Sequence, residues 1–173
     1  MKLRRFMASA ISIIAVALWS LALLPQSSRA ESITWYKYDE GVKQAAKLNR
    51  LILIDFYTDW CGWCKKMDKT TFTDQAVVEY INKNFIAIKV NAESNASLSS
   101  PDGLNSGVKV ARSFGVNSYP QYWFVESNGK KIDKLPGYAP PDRFIIVLKY
   151  IGEGEYKKQS WNDYYQKAQG SAN

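Results

Sequence analysis

The sequence predicts an α/β domain with a central mixed β-sheet flanked by helices and an extra helix at its C-terminal end. Three observations carry that expectation. Leu51 to Thr58 ("LILIDFYT") and Phe85 to Val90 ("FIAIKV") are continuous apolar runs of strand length, the composition of strands buried on both faces. Segments with helical periodicity alternate with these runs. Late in the chain, Asn128-Gly129 joins two strand-like stretches in the manner of a hairpin turn, which adds an antiparallel pair. The resulting order, βαβαβαββα, implies a mixed sheet covered by helices.

Taken in order, Ser32 to Tyr38 alternates enough to form a short edge strand. Asp39 is placed to cap the helix that follows, where Val42, Ala45, Ala46 and Leu48 supply an apolar face and Asn49-Arg50 marks the end. The Leu51–Thr58 strand carries a single acid, Asp55. A helix begins at Cys61 and continues, or restarts after Thr73-Asp74, through "QAVVEYINKNF" with Val77, Val78 and Ile81 as its apolar positions. After the Phe85–Val90 strand, residues 91–107 are polar and rich in Ser, Asn and Gly, the composition of a loop. A short helix over Val108 to Phe114 leads to a strand at Gln121 to Glu126, and the hairpin returns through Lys131 to Leu135. Pro140-Pro141-Asp142 opens a helix whose Phe144, Ile145, Val147, Leu148 and Ile151 form a broad apolar face, broken by Gly152 and Gly154. Trp161, Tyr164 and Tyr165 recur at helical spacing in the remainder and predict a short docked helix.

The chain has 173 residues, 46% of them apolar, which suits one compact domain with a real core. Residues 1–30 stand apart from it. Lys2, Arg4 and Arg5 precede an uncharged apolar run from Phe6 to Leu24, and Ser28-Arg29-Ala30 follows, the layout of a signal peptide cleaved after Ala30. The competing expectation is an uncleaved N-terminal membrane anchor, because the run approaches the roughly 20 residues that span a bilayer. Either outcome places the domain, residues 31–151 with an extension over 152–173, in a periplasm or otherwise outside the cytoplasm. The net charge of +7 owes four of its positive charges to that leader, so the remaining surplus is an ordinary soluble surface with no nucleic-acid footprint.

The stretch Tyr57 to Met67, "YTDWCGWCKKM", holds both cysteines of the chain, with two residues between them. A disulfide closing so small a loop removes little entropy from the unfolded state, so a staple explains the pair poorly. A structural zinc site wants four Cys or His ligands, and the chain has no histidine and no second CxxC. A redox pair remains. With Cys61 at a helix N-terminus, its sulfur faces unpaired N–H groups and the positive end of the helix dipole, which favours thiolate, the attacking species in disulfide exchange. Cys64, one turn further in and less exposed, then resolves the mixed disulfide. Asp55 is costly in an apolar strand unless it is paired or works, and burial raises its pKa toward neutrality.

Together, "LILIDFYTDWCGWCK", "FIAIKVN" and "FGVNSYPQYWFV" with "NGK" resemble the thioredoxin superfamily. More narrowly they are similar to exported thioredoxin-like proteins related to the periplasmic C-terminal domain of the transmembrane thiol reductant. The resemblance extends from Ile33 to Ile151 and implies a thioredoxin-like fold. It also implies that Asp55, six residues before the first cysteine, accepts a proton from the resolving thiol, and that Lys89 is the lysine family members place near this acid. Tyr119-Pro120 matches the family's cis-proline, which presents backbone to a substrate strand, while Trp60, Gly62 and Trp63 shape and shield the site. The sequence departs from cytoplasmic thioredoxins in Gly62-Trp63, where those carry Gly-Pro, in the bulk of Tyr119 and in Gln121. The implied activity is an exported thiol:disulfide oxidoreductase that reduces protein disulfides through a redox-active Cys61–Cys64 pair, without a bound cofactor or metal. Such a protein acts as a monomer, with a membrane thiol transporter as electron donor. The alternatives are a disulfide oxidase or isomerase of the same fold, and a non-catalytic thioredoxin-like chaperone or binding module.

Overall fold

The computed structural model describes residues 32–170. The expected leader, its cleavage point and the alternative anchor at residues 1–30 lie outside them. The strands are β1 (Trp35–Tyr36), β2 (Leu51–Tyr57), β3 (Phe85–Asn91), β4 (Gln121–Val125) and β5 (Lys131–Pro136). The helices are α1 (Tyr38–Leu48), α2 (Gly62–Lys69), α3 (Gln75–Asn84), α4 (Gly107–Ser113), α5 (Pro141–Gly152) and α6 (Trp161–Gly170). The five strands form one mixed sheet in the order β1-β3-β2-β4-β5. β1, β3 and β2 run parallel, and β4 and β5 continue the sheet antiparallel. No helix among the described residues is long and apolar enough to cross a membrane.

β2 sits in the middle because it is apolar on both faces. Successive side chains of a strand point to opposite sides. Ile52, Ile54 and Phe56 accordingly join the core under α1 and α4, with Ile86, Ile88 and Val90 of β3. Leu53 faces the other way, into the core formed with Met67 of α2, Val77, Val78 and Ile81 of α3, and Phe144 and Leu148 of α5. Asp55 has the parity of Leu53. It therefore lies on the α2 side of the sheet and is almost wholly buried there.

Several expectations are corrected at element ends. The edge strand is shorter than Ser32–Tyr38, because the chain turns at Lys37, whose carbonyl accepts from Gly41 N–H at 2.8 Å and opens α1. Lys37, not Asp39, is the N-cap of α1. Asp39 lies in the first turn, favourable for an acid near the positive helix end, and its Oδ2 accepts from Ser99 N–H at 3.2 Å. Of the expected apolar face of α1, Ala45 is buried and Val42 packs half-buried against the core, whereas Ala46 and Leu48 are exposed and Tyr38 and Gly41 add buried contact. Asn49 ends the helix in the left-handed conformation.

The helix that starts after Cys61 stops at Lys69, passes through a 3₁₀ turn at Thr71–Thr73, and restarts as α3 with the Asp74 carboxylate accepting from Val77 N–H at 3.1 Å. The polar stretch between β3 and α4 is a loop tied back to the domain. Tyr38 donates to Asp102 at 2.6 Å, and Leu98 and Leu104 pack on the α1 side of the core. α4 begins at Gly107, one residue earlier than expected, and a Cβ there would fall 2.2 Å from the Asn91 carbonyl oxygen, so only glycine fits. At the C-terminus, Trp161 and Tyr164 of α6 lie 5.4 and 5.2 Å from the Tyr150 ring of α5, whose hydroxyl donates to Gln159 O at 2.8 Å.

The α2-side core is closed by rings. Phe144 is fully buried, 5.7 Å from Phe72 and 5.3 Å from Tyr122 between ring centroids. Phe144→Ala should lower stability by about 3–5 kcal/mol, the usual cost of emptying an aromatic core position, read from the urea midpoint of the oxidised protein.

Candidate active site

β2 ends at Tyr57, and the chain turns so that Cys61 N–H donates to Thr58 O at 3.1 Å. Cys61 is then the N-cap of α2 and is joined to Cys64 in a disulfide. Cys64 N–H donates to Cys61 Sγ at 3.1 Å, and Lys65 N–H donates to the Cys61 carbonyl at 3.2 Å. The sulfur thus stands where a Ser or Asp oxygen stands in an ordinary N-cap, facing free N–H groups and the positive end of the helix. Cys64 was expected to be the less exposed of the two. In the disulfide they are equally buried, at 3% and 4% exposure, because the bond draws both under the same cover. What distinguishes them is position: Cys61 precedes the helix, and Cys64 is inside its first turn.

Below the pair lies a charged cluster. Asp55 and Lys89 are register partners across β2 and β3, and Lys89 Nζ is 3.5 Å from Asp55 Oδ2. The same ammonium donates to Asp68 of α2, and it lies 5.2 Å from the Trp35 ring centroid and 5.3 Å from that of Tyr57. One cation therefore bridges a buried and a half-exposed carboxylate while resting against two aromatic faces. Burial is the main reason the Asp55 pKa rises from 3.8 to about 7; Lys89 pulls it down and the Asp68 charge pushes it up.

Around the disulfide stand four aromatic side chains in two pairs. Trp60 and Trp63, 67% and 56% exposed, are two of the three large apolar side chains on the surface among the described residues. Trp60 meets Tyr119 edge to face at 5.8 Å, and its indole N–H reaches both Glu93 carboxylate oxygens at 3.1 Å. Trp63 packs against Tyr138 at 5.4 Å. The Tyr119–Pro120 peptide bond is cis. The Pro120 carbonyl accepts from Gly137 N–H at 2.8 Å, so the segments bearing the two tyrosines are tied together. Gly137 has φ 81°, where glycine is favoured.

The structure thus brings together Trp60, Cys61, Gly62, Trp63 and Cys64 on one turn, with Tyr119 and Pro120 beside Trp60 and with Asp55 and Lys89 on the strands below. It adds four residues that the sequence reading missed: Asp68, Tyr138, Glu93 and Trp35. Asp68 follows Cys64 by four positions, one helical turn, and that spacing was available in the sequence. Tyr138, Glu93 and Trp35 reach the site only through tertiary packing.

A family model described as a thioredoxin-like domain matches residues 38–152. The chain belongs to the thioredoxin-like family. Its relatives include the thiol:disulfide interchange protein DsbD of Ralstonia nicotianae, 43% identical over 122 residues, 70% of this chain and 18% of that protein. DsbD of Campylobacter jejuni (strain RM1221) is 31% identical over 124 residues, 71% of this chain and 20% of that protein. This thioredoxin-like chain therefore matches about a fifth of the length of those curated relatives. A solved thioredoxin from Thermus thermophilus shares the fold, with a TM-score of 0.58 and 24% identity over 69% of this chain and 87% of that one.

Folding raises the pKa of Asp55, so between the ordinary 3.8 and about 7 the folded state holds this proton more tightly than the unfolded chain, and stability falls as pH rises through that window. Asp55→Asn should unfold about 2–4 kcal/mol later than wild type at pH 8, with the gap closing toward pH 4, in urea titrations of the oxidised protein. Removing the cation with Lys89→Met should move the Asp55 midpoint upward, as followed by its carboxyl NMR shift.

Proposed function

We propose that this domain is an exported thiol:disulfide oxidoreductase that reduces disulfides in partner proteins. The observation that carries the reading is the Cys61 sulfur at the N-cap of α2, accepting the Cys64 N–H. In the reduced protein that environment favours the Cys61 thiolate. The thiolate attacks one sulfur of the partner's disulfide, forming a Cys61–partner bond, and the partner's other sulfur leaves as a thiolate that takes up a proton. Cys64 gives its proton to Asp55, which titrates near neutrality, and attacks Cys61 Sγ. The partner's second sulfur leaves as a thiolate that takes up a proton, and the Cys61–Cys64 disulfide forms. Two electrons pass from the domain's dithiol to the partner.

No bound cofactor enters these steps. Trp60, Gly62, Trp63, Tyr119 and Pro120 form the docking surface, and Lys89 positions Asp55. Catalytic turnover needs a donor of two electrons outside the cytoplasm, where no soluble reductase pool regenerates dithiols. The DsbD relatives support a membrane thiol transporter in that role and support an extracytoplasmic site of action.

Cys64→Ser should trap partner proteins as mixed disulfides on non-reducing gels, and Cys61→Ser should not; equal adducts from both variants would reverse the role assignment. Wild type should speed the reduction of insulin by dithiothreitol, and Cys61→Ser should abolish the acceleration, a difference that a binding module would lack. Titration against glutathione should give a potential below about −200 mV, since a strong oxidant lies near −120 mV.

A further inference from the structure

Lys66 occupies an unusual place for a surface lysine. Its Nζ lies 4.9 Å from the ring centroid of Trp63, the residue between the two cysteines, and 4.7 Å from that of Tyr138. Two ring faces therefore hold this ammonium at a defined point next to the disulfide, and they do so without neutralising it. No carboxylate among the described residues forms an ion pair with it. Lys65 is exposed alongside it. The neighbourhood of the other exposed tryptophan has the opposite sign: Trp60 bonds to Glu93, and Asp59 is exposed beside it.

Both cysteines are buried on a turn that also carries the exposed Trp60 and Trp63, so these aromatic walls are the surface nearest the residues that flank a partner's sulfur as it approaches Cys61. One wall offers a fixed, unpaired cation, and the other offers carboxylates. We propose that the Trp63–Lys66–Tyr138 stack is a subsite for an acidic side chain adjacent to the reacting cysteine of the partner protein. The Trp60–Glu93 wall disfavours the same charge on the other flank. The partner is thereby selected for the sign of charge on each side of its cysteine, a level of choice that aromatic contact with any extended segment does not supply. This inference rests on the exchange activity proposed above.

The test uses short peptides with blocked termini and one cysteine, held as a mixed disulfide with 2-mercaptoethanol and carrying Glu, Gln or Lys just before or just after that cysteine. Rates of reaction with the reduced protein are compared at low salt. At one of the two flanks wild type should react about fivefold faster with Glu than with Lys, with Gln between, the size of effect expected of a solvent-screened charge contact. Added salt should shrink the difference. Lys66→Gln should flatten the order at that flank, and Lys66→Glu should reverse it. Peptide charge also alters the thiols' own reactivity, but equally for every variant, so the change between variants isolates Lys66. An absence of the Glu-over-Lys order at both flanks, or an order unchanged in Lys66→Glu, overturns the subsite while leaving exchange intact. Failure of wild type to reduce even the Gln peptide would overturn the exchange activity and the subsite with it.

Discussion

Burying Asp55 in the central strand takes a carboxylate out of water at a cost of several kcal/mol, and Lys89 on the adjacent strand offsets only part of it. The remainder appears as a carboxyl that titrates near neutrality instead of near 4. An apolar residue at this position would give a more stable sheet. A charge is nonetheless kept there, on the face covered by the CxxC helix, in keeping with the proton-accepting role proposed for it.

The rest of the architecture serves that placement. A strand buried on both faces must be central, and a central β2 has β3 on one side to supply Lys89 and β4 on the other to carry the chain from the cis-proline. Strand alternation sends Leu53 and Asp55 to the same side, and α2 lies over that side because its Met67 fills the same core. The helix that covers Asp55 is the one whose N-cap is Cys61. The buried carboxylate and the Cys61 sulfur are thus two ends of one short strand-turn-helix unit.

The proposed chemistry and the proposed recognition fall to different layers of the site. Below the disulfide the groups are charged, Asp55 buried and Lys89 and Asp68 partly exposed, and the proposed mechanism gives them the handling of the proton. Above it the groups are aromatic and exposed, and each tryptophan is steadied by a tyrosine brought in from the segment after α4 or from the end of β5. The charges attached to that upper layer, Glu93 on Trp60 and Lys66 on Trp63, are of opposite sign. They give the proposed docking surface a polarity that the sulfur chemistry does not need.

The local elements were legible in the sequence because they rest on periodicity and on residues that act over a few positions. The double-faced run of β2, the hairpin at Asn128-Gly129, the break between α2 and α3 at Asp74, and the CxxC at a helix start all follow from spacing, and the resemblance implies the cis-proline. Element ends were less legible: Asp39 looks like a cap, yet Lys37 takes that place because Tyr38 is drawn into the core and bonded to Asp102. The partners of the site were least legible. Asp55 could be read from the sequence as an acid needing a partner, and the resemblance aligned Lys89 with it. The parallel register that sets the two side by side, the carboxylate of Asp68 shared by the same ammonium, and Tyr138 closing on Trp63 across more than seventy residues exist only once the sheet is assembled. Propensity and pattern act through neighbours along the chain, whereas the electrostatics of a buried group depend on whatever the fold brings within a few ångströms of it.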